Sequence, residues 1–100
     1  MVEGKTPVII RDHYVVYFEM WEGMTFIHCD VFKWNKTIKE DLKHNFSLLK
    51  KLHRSPIYAV HEQHLGNKHK KFLSTFGFVH FADHMDTKGN PIEIYINEEL

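Results

Sequence analysis

The chain holds little that would staple it, stretch it or charge it. Cys29 is the one cysteine in 100 residues, so no internal disulfide supports the fold, and a reducing compartment, the cytoplasm, is expected. Five glycines and three prolines are too few for a collagen-like or low-complexity chain. No apolar run approaches the ~20 residues of a membrane span. Val8-Ile9-Ile10, cut off by Arg11-Asp12, is too short for the apolar region of a signal peptide. Net charge is missing as well: 13 Lys and Arg balance 13 Asp and Glu. The uniform field that draws a protein to nucleic acid or a membrane surface is therefore lacking, and nucleic acid is not an expected partner.

What remains is a composition for packing, 43% hydrophobic and 14% aromatic, in a length that suits a single domain over 1–100. The unusual feature is nine histidines. Imidazole is the residue type that any chemical reading must place first, as ligand, base or proton switch.

Hydrophobic periodicity organises the chain. Tyr14 to Trp21 is almost all β-branched or aromatic, and Glu22-Gly23 separates it from a second run, Thr25 to Trp34, which predicts a β-hairpin. In the second run Thr25, Ile27, Cys29 and Val31 share one face, and Phe26, His28, Asp30, Phe32 and Trp34 the other. Pro7 to Ile10 is a candidate short strand ahead of it. From Asn35 the period changes: Ile38, Leu42, Phe46, Leu49 and Leu52 mark an amphipathic helix, with Asn35 or Thr37 as N-cap and Glu40 in capping-box position to Thr37. Pro56 ends it, and Ile57 to Val60 is a short apolar strand. A second helix runs from Lys68 to Phe76, with Gly77 suited to the left-handed position after its end. Phe78 to Ala82 and Ile92 to Ile96 form a last hairpin around Asp86 to Pro91. The order β-β-α-β-α-β-β implies a mixed α/β sheet with two flanking helices.

The stretch Asn67-Lys68-His69-Lys70-Lys71-Phe72-Leu73-Ser74-Thr75-Phe76-Gly77-Phe78, set between a strand and a terminal hairpin, resembles the last helix of the GNAT (GCN5-related N-acetyltransferase) superfamily. The resemblance covers most of residues 14–96 in the right order, and is closest to short GNAT-like proteins encoded by bacteriophages. It implies a truncated GNAT-like fold and acetyl-CoA as cofactor. Lys33, Asn35, Lys36 and Thr37 would then lie on the cofactor phosphates, with Asn67 and Phe72 beside them on the last helix. It also implies a base for the amine acceptor, for which Glu19, His28 and Asp30 on the hairpin are the candidates.

The chain departs from the family in three places. The Gln/Arg-x-x-Gly-x-Gly/Ala loop, whose glycines admit the pyrophosphate to backbone N–H groups, is replaced by Lys33-Trp34-Asn35-Lys36-Thr37-Ile38 without a glycine. The tyrosine that protonates the leaving thiolate is replaced by Leu73. The thirteen residues ahead of Tyr14 are too few for the family's N-terminal elements, which predicts a bare sheet face or edge and hence a protein partner or homodimer. The expected function is therefore protein binding in a virion, ejected or host-targeting role, in the host cytoplasm or the virion. A minimal acetyl-CoA-dependent N-acetyltransferase is the alternative.

Other histidines are read more plainly. His61-Glu62-Gln63-His64 with His69 lacks zincin spacing, so no metal site is expected and these histidines are read as surface imidazoles on loops. His80 and His84, four apart on a strand, are expected on one face. Lys68-His69-Lys70-Lys71 crowds positive charge at a helix start, where the helix dipole disfavours it. Lys50 and Lys51 with His53 and Arg54 make a second basic cluster, and both are read as solvated faces. Trp21 and Trp34 are expected to be exposed at their strand ends.

Overall fold

The computed structural model describes residues 4–98. The order is β1 (Lys5–Ile10), β2 (Tyr14–Trp21), β3 (Met24–Val31), α1 (Lys36–His53), β4 (Ile57–Glu62), a 3₁₀ turn (Gln63–Leu65), α2 (Gly66–Thr75), β5 (Val79–Met85) and β6 (Pro91–Asn97). The six strands form one mixed sheet in the order β1-β2-β3-β4-β6-β5. The candidate strand at residues 7–10 is present and longer than expected, making the order β-β-β-α-β-α-β-β.

Local chemistry sets the turns. Glu22 and Gly23 both have positive φ, 52° and 75°, the two-residue turn whose twist matches a hairpin. Asn35, not Thr37, caps α1: its Oδ1 accepts from the Ile38 N–H at 2.9 Å. The last three residues expected in β3, 32–34, instead form the loop into this cap, because β2 begins at Tyr14, opposite Val31, and beyond it Phe32 and Lys33 donate to the single carbonyl of His13 at 2.8 and 3.4 Å. At the end of α2, Gly77 (φ 85°) donates to the Ser74 carbonyl and Phe78 to that of Leu73, both at 3.0 Å. This 6→1 and 5→2 pairing satisfies the last carbonyls and turns the chain into β5. The β5–β6 turn is organised by Asp86, whose Oδ1 accepts from the backbone N–H of Lys88 and of Asn90 at 2.9 Å each.

One core joins everything on one face of the sheet. Tyr14, Val16, Ile57 and Ala59 from the strands pack with Ile38, Leu42 and Phe46 of α1 and Leu73 of α2, with Phe76 and Phe78 just beyond. Phe46 reaches Phe76 edge-on at 5.9 Å and stacks on Phe78 at 5.7 Å, so both helices flank the same face. Tyr14 anchors α1 by a polar contact too: its hydroxyl donates to Asp41 Oδ2 at 2.6 Å and accepts from Asn45 Nδ2 at 2.9 Å. Burial, then the Asp41 carboxylate, push its pKa up, which keeps it a donor. Asn97, buried, closes the far side by donating to the Phe76 carbonyl at 2.7 Å.

Among the described residues, the opposite face carries no helix. Register places Trp21, Phe26, Tyr58, Ile94 and Ile96 there. Trp21, Phe26, Tyr58 and Phe81 follow one another at centroid spacings of 5.6–6.2 Å. Trp21 and Phe81 are about half exposed, and Val79 is 62% exposed. A bulge between His80 and Ala82 shifts the β5–β6 register, so His80 pairs with Tyr95 on the helix face while His84 pairs with Ile92 on the other. The two histidines expected on one face are thus on opposite faces.

Candidate functional site: a wedge through the sheet

The parallel pair β3–β4 is the weak seam of the sheet. The strands are in register only at Thr25↔Ile57 and Phe26↔Tyr58, at their N-terminal ends. Beyond that they diverge, leaving the inner edges of residues 27–31 and 59–62 without a strand neighbour. The gap is a cavity of about 490 Å³ that passes from one face of the sheet to the other. On the helix side it is lined by apolar groups, Leu42, Phe46, Phe72, Leu73 and Phe76, and by Cys29 and His69. On the open side it meets Lys5, His28, Asp30, Val60 and Glu62.

Of the three candidate bases, His28 and Asp30 line the open mouth, and Glu19 stands behind His28 without lining the cavity. Glu19 on β2 and His28 on β3 face one another, with Oε1 and Nε2 2.7 Å apart and each side chain about one-third exposed. Asp30, two residues further along β3, shares that face and is exposed at the rim. Glu62 stands across the gap on β4 and contacts His64 at 3.5 Å. The sequence pattern gives the shared face of His28 and Asp30; the Glu19–His28 pairing depends on hairpin register, which the Glu22-Gly23 turn sets.

The six residues that the family resemblance puts on a cofactor are only partly gathered. Phe72 lines the wedge. Lys33, Lys36 and Thr37 are exposed on the loop and first turn of α1, and Asn67 is exposed on the first turn of α2. Asn35 spends its side chain on the Ile38 N–H, one of the donors that a phosphate would otherwise take. Trp34 lies over Phe72 with ring centroids 5.6 Å apart, joining the loop to α2 beside the wedge. Burial first, then the Asp30 charge, push the Cys29 thiol up to about 12, which disfavours the thiolate.

His61 and His69, expected as surface imidazoles on loops, instead lie on β4 and α2, because the alternation of β4 turns His61 to the helix face. His61, buried on β4, meets His69 of α2 with their Nδ1 atoms 2.8 Å apart and their rings nearly parallel. The signal was the helix-face parity of Ile57, Ala59 and His61, which marks His61 as buried. No group of three or more His, Cys, Asp or Glu able to hold a metal occurs among the described residues. No described helix is long and apolar enough to cross a membrane. Comparison of the chain with family models, curated proteins and solved structures finds no match.

Proposed function

We propose that this chain is a GNAT-like protein of phage type that acts by binding protein through its helix-free sheet face, in a virion, ejected or host-targeting role. The observation that carries this reading is the row Trp21–Phe26–Tyr58–Phe81 on that face, with Trp21 and Phe81 half exposed at its ends. Aromatic rings supply large contact area at low entropic cost and are enriched where proteins dock. A formal charge of zero sets no net repulsion between copies, so the first partner is a second copy of this chain. The wedge supports the same reading by what surrounds it: a glycine-free loop, a helix start already capped by Asn35, and Leu73 where a proton donor would stand. Sedimentation between low and high micromolar concentration tests the surface. Wild type should associate reversibly, and Phe81→Lys, at a half-exposed site, should remain monomeric with unchanged circular dichroism. A wild type that sediments as a monomer throughout would overturn self-association.

A second reading, acetyl transfer from acetyl-CoA to an amine, is favoured by His28, which lines the open mouth of the cavity and is bonded to Glu19 behind it. There His28, held by Glu19, would take the proton of an ammonium, with Asp30 at the same rim.

A further inference from the structure

His61 and His69 form the one polar contact in which α2 is tied to β4 by side chains among the described hydrogen bonds. An Nδ1···Nδ1 hydrogen bond needs one protonated and one bare nitrogen. It survives with both rings neutral or with one charged, and fails when both are charged, since two N–H groups then face each other. His61 is 2% exposed, so water cannot take over the lost contact without movement.

Two carboxylates stand near the pair, Glu62 beside it and Glu93 across the β4–β6 ladder from His61, where it favours a charged His61 ring; each is also engaged with another group, and neither removes the clash of two N–H groups. On β4, Glu62 is engaged with His64 of the 3₁₀ turn at 3.5 Å. On β6, Glu93 accepts from the Tyr95 hydroxyl at 3.0 Å and meets Lys70 of α2 at 3.4 Å. Tyr95 sets its ring edge-on to His61, and His80 of β5, bonded to Asp83 at 2.9 Å, sits edge-on to Tyr95. Burial and the neighbouring His61 charge hold His69 below the usual imidazole range, with Glu62 opposing them.

We infer that the His61–His69 contact is a proton-operated latch, which holds the N-terminal half of α2 on β4 at neutral pH and releases it in mild acid. Leu65, His69 and Phe72 line the wedge, so release widens it from the helix side. Leu73 and Phe76 keep the C-terminal half of α2 docked in the core.

Hydrogen exchange of the full chain at pH 7.5 and 5.0, corrected for intrinsic rates, tests this. In wild type the amides of 66–72 should lose protection by about tenfold relative to those of α1, the effect of one pK unit of coupling. His69→Gln, which keeps a polar partner for His61 but does not titrate, should abolish the difference. Equal loss in both helices, or the same loss in His69→Gln, would overturn the latch. Should the variant not fold, a wild-type NMR titration decides. Amide shifts in 66–72 that follow the imidazole titration support the latch, and shifts that ignore it refute it.

Discussion

At the scale of single residues, the nine histidines divide by what their rings can reach. His28 is held by Glu19, His80 by Asp83 and His61 by His69, each within 2.9 Å. His53 carries the one buried side-chain nitrogen without a hydrogen-bond partner among the described residues, its Nε2, with the ring 5.0 Å from that of Phe18. A buried nitrogen without a partner costs about 1–3 kcal/mol, so His53→Leu should raise stability by about 1 kcal/mol, read as a higher urea midpoint at unchanged slope. A lower midpoint would show that the nitrogen has a role in holding the end of α1. None of this was legible from residue type. The sequence places His53 near the end of a helix, whereas its burial depends on where Phe18 of β2 meets that helix.

At the scale of elements, the parts defined by local chemistry were readable and the parts defined by register were not. The Glu22-Gly23 turn, the helix over Ile38 to Leu52, Gly77 and the Asp86 turn follow from backbone preference and periodicity, and each is present. Asn35 prevailed over Thr37 as cap because its side chain meets the Ile38 N–H, which fixes the first turn one residue before Thr37. The β5 bulge moved His84 to the other face, and one inserted residue in a strand leaves no mark in period-2 alternation. The wedge was equally hidden, since it is the absence of pairing beyond Phe26↔Tyr58. Gly77 tests the readable part: at φ 85° a Cβ is strained, so Gly77→Ala should cost about 1 kcal/mol in chemical denaturation. No loss would mean that the α2 terminus does not depend on the left-handed residue.

At the scale of the whole molecule, acid should weaken the fold in two windows. A group whose pKa is lower folded than unfolded binds fewer protons in the native state, so its contribution is full above the unfolded value and is lost as pH falls. His69 opens the first window below its ordinary value of 6.5. Glu93, held down chiefly by the Tyr95 hydroxyl, and Asp86, held down by the Asn90 and Lys88 N–H groups, open the second below 4.5 and 3.8. Thermal melts across pH 8 to 3 should therefore fall in two steps, and His69→Gln should remove only the upper one. The six strands and two helices present two features to the outside, the wedge between β3 and β4 and the aromatic row on the helix-free face, and the proposed function assigns binding to the row and no cofactor to the wedge. Calorimetric titration with acetyl-CoA tests that most directly. The account predicts no heat and no thermal shift at millimolar cofactor; saturable binding at micromolar concentration would contradict it and return the Glu19–His28 pair to catalysis.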